Sequence, residues 1–276
     1  MSERLVVLVV LSLAAGDALA APRETGLAPA PTRIVSLDYC ADQFVLKLVD
    51  RDRILAVSPG ARQGFSYMRD AAVGLATVRP VAEDVLVLKP DVVVRSYGGG
   101  PGAPALFARA GVRVVQVDWA SDLVDVLVNI ERVADDLGVP RRGEELAANV
   151  KARLAAITGG SGGPHALYVT PAGVTAGPGT LIHEMLTAAG LTNFQETSGW
   201  HPIPLEHLAY DQPDLVAAGF FDTMTHFTGA WSSTRHPVAQ RQLSDRDVIF
   251  LKGAWIACGG WFVMDAIEAL AGRRTP

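Results

Sequence analysis

The residues best equipped for chemistry are unevenly spread along this chain. All 6 histidines, His165, His183, His201, His207, His226 and His236, fall in the second half. Imidazole is the commonest side-chain ligand of transition metals. Capture of a free ion wants three or four donors in fixed geometry, and no HxH or HExxH spacing occurs. His183 and His207 lie in segments of helical pattern and read as surface residues. His201, His226 and His236 lie between such segments and are candidates to touch a ligand. The 2 cysteines, Cys40 and Cys258, form no disulfide framework and lack structural-zinc spacing. Pairing would require Cα atoms within about 7 Å. A bond in an oxidising compartment would tie two ligand-facing loops together as a redox latch; the reading adopted is two buried free thiols, and no disulfide is assigned.

Catalytic signatures are missing too. The glycine-rich stretches Ser96–Gly102 and Thr175–Gly179 match neither GxxxxGK[ST] nor GxGxxG, so phosphate-loop chemistry is unsupported. No GxSxG elbow and no close carboxylate pair of the glycosidase type is present. No catalytic residue, metal ligand or resident cofactor is assigned, and the expected activity is binding rather than turnover.

The elements around these residues alternate short apolar strands with helices. Ile34–Leu37, Ile54–Val57, Val92–Val94 and Val112–Val117 read as strands. Helices are expected at Ala41–Val49, with Asp38 as N-cap, at Asp84–Leu88 before Pro90, and at Ala103–Ala110 before Gly111. That rhythm predicts a mostly parallel α/β sheet. Two helices with apolar stripes follow, Asp122–Leu137 and Glu144–Ile157, interrupted at Gly138 and Pro140. After the glycine-rich break at Gly159–Pro164 the α/β rhythm resumes, with strands at Ala166–Val169, Leu215–Ala218 and Val248–Leu251 and helices at Leu181–Ala189, Leu205–Ala209 and Phe262–Ala271. The halves echo each other: Glu83 and Glu206 each precede a proline, Pro90 and Pro213, by seven residues, and an apolar strand follows.

Ligands of open α/β sheets sit beyond the carboxyl ends of the strands. The loops there carry Tyr39, Phe65, Tyr67, Tyr97, Trp119, Trp200, Phe227, Trp231, Trp255 and Trp261. Such rings offer large, stiff contact area to a flat or bulky ligand. His201, Arg69 and Arg235 join them as candidate cleft residues, the arginines as partners for an anionic group.

At the N-terminus, Arg4, the apolar run Leu5–Leu13 and the small residues Ala18-Leu19-Ala20 read as a secretory signal at 1–20. The run is far shorter than the ~20 residues of a bilayer span. Residues 21–32 read as a flexible leader. The formal net charge is −5 with no basic block, which excludes a nucleic-acid binder.

The ordered set of these segments resembles a family. Arg33–Leu37, Ala82–Leu86 with Lys89-Pro90-Asp91, Gly111–Val114, Thr175–Thr180 running to Asn193, and Leu205-Glu206 with Gln212–Leu215 are similar to the cobalamin- and ferric-siderophore-binding proteins of ABC importers. The resemblance implies two Rossmann-like lobes with mostly parallel sheets joined by a single long backbone helix. The lobes would span 33–140 and 159–276, with the helix at 141–158 and ligand in the cleft between them. It further implies a monomeric periplasmic protein that hands a metal chelate, cobalamin or a ferric siderophore, to membrane permease subunits, with Glu83 and Glu206 meeting permease arginines. The alternatives are a zinc, manganese or haem binder of the same fold, or an exported α/β enzyme acting on a chelate.

Overall fold

A computed structural model of the chain describes residues 31–157, 162–224 and 232–272. The expected signal segment, most of the leader, and Phe227, Trp231 and His226 lie outside the described residues.

The first lobe runs β1 (Ile34–Ser36), α1 (Tyr39–Leu48), β2 (Ile54–Ala56), α2 (Ala82–Val87), β3 (Val92–Arg95), α3 (Ala103–Arg109) and β4 (Arg113–Gln116). Its strands form a parallel sheet in the order β2-β1-β3-β4. Two helices follow, α4 (Leu123–Asp136) and α5 (Pro140–Ala155). The second lobe comprises β5 (His165–Val169), β6 (Val174–Ala176), α6 (Leu181–Ala188), β7 (Thr192–Asn193), β8 (Trp200–Pro202), β9 (Leu215–Gly219), α7 (Pro237–Ser244), β10 (Asp247–Leu251), α8 (Gly253–Ile256) and α9 (Val263–Ala271). Its main sheet, β10-β9-β5-β7, is again parallel, and β6 pairs antiparallel with β8 in a small ribbon of their own. The fold is the expected α/β pair of lobes.

Alternate residues of the strands serve different cores, as the period of two requires. Ile34, Val92, Val94 and Val115 of one sheet and Ala166, Tyr168, Leu215 and Ala217 of the other share one apolar core with α1, α4, α5, α6 and α9. The opposite faces have their own smaller cores: Val35 and Val93 over α2 and α3, Leu167 and Val216 over α7. At roughly 1.5–3 kcal/mol for each fully buried large apolar side chain, a core shared by both lobes holds them as one body.

The link departs from expectation at its start. Pro140 stands at N1 of α5 rather than interrupting it, where its missing N–H is one that the helix leaves unbonded anyway. Gly143 then lets α5 lie directly on α4: a Cβ there would stand 2.4 Å from the Ala134 Cβ. The final helix of the link ends at Ala155 rather than Ile157. Leu205–Ala209 shrinks to a 3-10 turn at His207–Ala209.

The cysteines need a larger correction. Cys40 and Cys258 are disulfide-bonded, with Cα atoms 5.6 Å apart. Neither residue type nor spacing reveals that α1 of one lobe and the segment after α8 of the other converge on one point.

Candidate functional site

The winding of each sheet reverses beside its first strand, between β1 and β3 in the first lobe and between β5 and β9 in the second. That reversal opens a crevice at the carboxyl ends of the strands. In the first lobe Asp38 fills it. Its Oδ1 accepts the Ala41 N–H at 2.9 Å as the N-cap of α1. Its Oδ2 accepts three further N–H groups, from Ser96 (2.7 Å), Tyr97 (3.0 Å) and Gly98 (2.8 Å). Such a nest of backbone amides is an anion site, and here the chain supplies its own anion. Gly98 is required by closeness: a Cβ would lie 2.4 Å from the Leu37 carbonyl oxygen. Tyr97 is left half-exposed at the cleft edge. Tyr39 and Tyr97 meet edge-on, and Phe65 packs against Tyr39 at 4.7 Å. Burial, first of all, pushes both phenols up from their ordinary range, and a hydrogen bond joins them.

Two tryptophans face the cleft from opposite lobes. Trp119 follows β4, and the buried Asn129 of α4 grips the preceding residue: Asn129 Nδ2 donates to the Asp118 carbonyl (2.8 Å) and Oδ1 accepts the Asp118 N–H (3.2 Å). Trp200 opens β8 and is placed by the ribbon, where Ala176 pairs with it and Gly177 donates to the Gly199 carbonyl at 2.8 Å. Trp119 is 76% exposed and Trp200 50%.

Between them lies a cavity of about 250 Å³. The first lobe contributes Cys40, Phe44, Ser96 and Val117–Ala120; the second contributes Gly179–Ile182, Met185, Gly199, Trp200 and Ile256–Gly259. The lining is chiefly apolar. Asp118 is, among the described residues, its one ionisable side chain apart from the bonded cysteines, and Arg132 neutralises it at 2.8 Å. No lysine or arginine among the described residues lines the cavity, and none of its lining side chains is a nucleophile paired with a base. Among the described residues no cluster of three or more metal-ligating side chains occurs.

The other candidates are placed differently. Tyr67 stacks on Phe262 with centroids 4.9 Å apart and donates its hydroxyl to Asp265 at 2.9 Å. Burial foremost, and that hydrogen bond next, push its phenol up to about 12. Trp261 is buried against Phe44. Both residues border a second groove, with Lys47, Arg142 and Arg153, that shares no residue with the cleft. Trp255 carries the Lys252 ammonium over its ring at 5.1 Å. His201 donates from Nε2 to the Ser198 carbonyl at 2.7 Å. Arg69 and Arg235 are exposed, Arg69 donating to the Ser66 carbonyl. His183 meets Asn193, and His207 stacks on Phe194. Glu83, in the first turn of α2, and Glu206, beside the turn at His207–Ala209, are both exposed.

Residue reasoning placed the loop 255–261 at the cleft through its tryptophans but singled out neither the wall Gly179–Ile182 nor, within that loop, Ile256–Gly259. Neither stretch carries a group that announces itself, although the first stands within a glycine stretch already singled out.

The family described as periplasmic binding protein matches residues 34–241. A cobalamin-binding protein of Halobacterium salinarum is 27% identical over 199 residues, covering 68% of this chain and 54% of that protein. The chain thus spans about half the length of that relative. The apo form of the periplasmic heme-binding protein RhuT from Roseiflexus sp. RS-1 superposes with a TM-score of 0.67 at 25% identity, over 87% of this chain and 98% of that one. The periplasmic vitamin B12 binding protein BtuF of Vibrio cholerae shares the fold, with a TM-score of 0.61 at 18% identity, over 88% and 96% of the two chains.

Proposed function

The chain belongs to the periplasmic binding protein family, and from that premise we propose that it is the exported substrate-binding component of an ABC importer. It captures a bulky metal chelate between its lobes and carries it, as a monomer, to the membrane permease. Glu83 and Glu206, one exposed carboxylate on each lobe, meet cationic side chains of the permease. Ion pairs of that kind set orientation and on-rate more than affinity, which suits repeated docking and release.

The observation that carries this reading is the composition of the cleft. Among the described residues its apolar walls come from both lobes, each lobe adds one exposed tryptophan, and no cationic side chain lines it. A strongly anionic catecholate chelate would leave its charge uncompensated there. An uncharged chelate, a corrinoid such as cobalamin or a neutral ferric hydroxamate, suits the walls. At about 250 Å³ the cavity is smaller than the ~300–1,000 Å³ of common ligand pockets. A large ring system therefore enters by an edge and leaves its rim in solvent.

Haem is the second reading. It is favoured by the superposition with the heme-binding protein and by the phenols of Tyr39 and Tyr97 at the cleft edge.

The test is calorimetric titration with cyanocobalamin, a ferric hydroxamate, a ferric catecholate and haem, each ligand being recovered afterwards. The expected result is saturation at one equivalent by cyanocobalamin or the hydroxamate, with the ligand unchanged. Saturation by haem alone selects the second reading. Chemical conversion of any of them overturns the binding role in favour of an enzyme.

A further inference from the structure

Beside the cleft, and in addition to the core they share, the lobes are joined in two chemically different ways. The first is aromatic packing: Phe44 of α1 meets Trp261 at 5.8 Å, and Tyr67 stacks on Phe262. The second is covalent, the Cys40–Cys258 bond between residues 218 apart in sequence. The bond lies in the cavity wall, and both cysteines are half-buried. Beside it the backbones of the two lobes nearly touch, since a Cβ on Gly259 would stand 2.6 Å from the Ala120 Cβ.

Helix α1 carries both joins. Cys40 stands at its cleft end, and Lys47, whose ammonium lies over Trp261, stands about 10 Å further along at 1.5 Å per residue. Side-chain packing alone leaves the cleft ends of the two lobes free to move apart by small displacements. A covalent attachment at the cleft end of α1, one turn from Phe44, removes most of that freedom. Each cysteine is also held by its own lobe. Cys40 directly follows the Asp38 nest, and Cys258 follows α8, whose first N–H (Gly253) bonds to Asp222 at 2.9 Å.

We propose that the Cys40–Cys258 disulfide is a redox lock on the aperture of the cleft. Oxidised, it holds the walls bearing Trp119 and Trp200 at a fixed separation, so ligand binds without ordering the lobes first, which is how preorganisation raises affinity. Reduction by a dithiol releases it. One thiolate attacks one cysteine sulfur and expels the other cysteine as a thiolate, leaving a mixed disulfide; the dithiol's second thiolate then closes on its own bonded sulfur and expels the first cysteine. The protein gains two electrons and two protons as two thiols, and the dithiol becomes a cyclic disulfide. The cleft ends of the lobes then move apart by small displacements and bound ligand escapes faster. Because the bond lines the cavity, ligand and reductant oppose each other: a seated ligand covers the sulfurs, and by linkage reduction weakens the ligand.

The lock is tested on ligand-free protein by hydrogen exchange of three samples: oxidised, dithiothreitol-reduced, and C40S/C258S. The expected result is exchange about tenfold faster in both samples that lack the disulfide at residues 39–44 and 253–262, with β3 and β9 unchanged, as local opening requires. Equal protection in all three overturns the lock. Equal acceleration everywhere, β3 and β9 included, also overturns it, leaving the bond a general staple. The ligand arm rests on the proposed transport reading. Cyanocobalamin should dissociate about tenfold faster from reduced protein and slow the reduction of the disulfide, as reciprocal coupling demands. An unchanged rate of both overturns the coupling. If cyanocobalamin does not bind, the transport reading loses its corrinoid ligand while the exchange comparison still decides the lock.

Discussion

Two aspartates near the start of α1 use burial in opposite ways. Asp38 meets four backbone N–H groups and ties the first turn of α1 to the loop after β3. Asp42, fully buried one turn on, has Ser58, whose N–H donates at 3.0 Å and whose hydroxyl donates at 2.6 Å, and the weaker help of the Ser36 hydroxyl. Desolvation outweighs those bonds and pushes its carboxyl up from 3.8 to about 6. The native state therefore keeps the proton to higher pH than the unfolded chain does. The stabilisation from this group is complete below about pH 4 and is lost as pH rises through about 6. Asn keeps the shape, accepts from the Ser58 N–H and donates to its hydroxyl. D42N and wild type should be equally stable in urea near pH 4, and D42N should lead by about 1–3 kcal/mol at pH 7, since one pKa unit is 1.36 kcal/mol. A constant difference across that range would refute the buried charge. The N-cap role of Asp38 was legible from its place before a helical stripe. Its three other bonds were not, because the donors lie about 60 residues away in sequence.

Among the elements, the α4–α5 pair is set by one missing methyl. Gly143 costs helix propensity, about 1 kcal/mol relative to Ala, yet it admits Ala134 where a Cβ would overlap. Overpacking a tight contact costs about 1–3 kcal/mol, so the two effects oppose. The 2.4 Å approach is beyond what small shifts absorb, and G143A should lower the urea midpoint despite its better propensity. A rise in the midpoint would show that the helices do not lie this close. Both helices were legible from their stripes. The start of α5 was not, because proline reads equally as a stop or as N1, and only its context decides. The ribbon of β6 and β8 escaped notice because three residues such as Trp200-His201-Pro202 show no alternation and contain a proline, which disfavours strand.

At the scale of the whole molecule, the shared core and the disulfide make a stiff two-lobed body, so capture depends on a cleft that exists beforehand. The two carboxylates proposed for docking, Glu83 and Glu206, are not in the lining of that cleft. Glu83→Ala with Glu206→Ala should therefore leave chelate affinity within about twofold, because rim charges act mainly on encounter, and should abolish uptake by cells that depend on this protein. Normal uptake would remove their docking role. Parallel sheets, two lobes and the cleft loops were legible from the order of strands and helices. Which aromatic rings face the ligand was not: Tyr67 and Trp261 occupy the same kind of loop position as Trp119 and Trp200, and only packing separates a ring that joins the lobes from one that lines the cleft. The most direct measurement of the central claim is the calorimetric titration of wild type beside W119A/W200A with the chelate that saturates it. Each lost stacking ring should cost about 1–3 kcal/mol, so the double variant should bind at least about tenfold more weakly with its thermal unfolding little changed. Affinity equal to wild type in a folded double variant would contradict binding in the inter-lobe cleft.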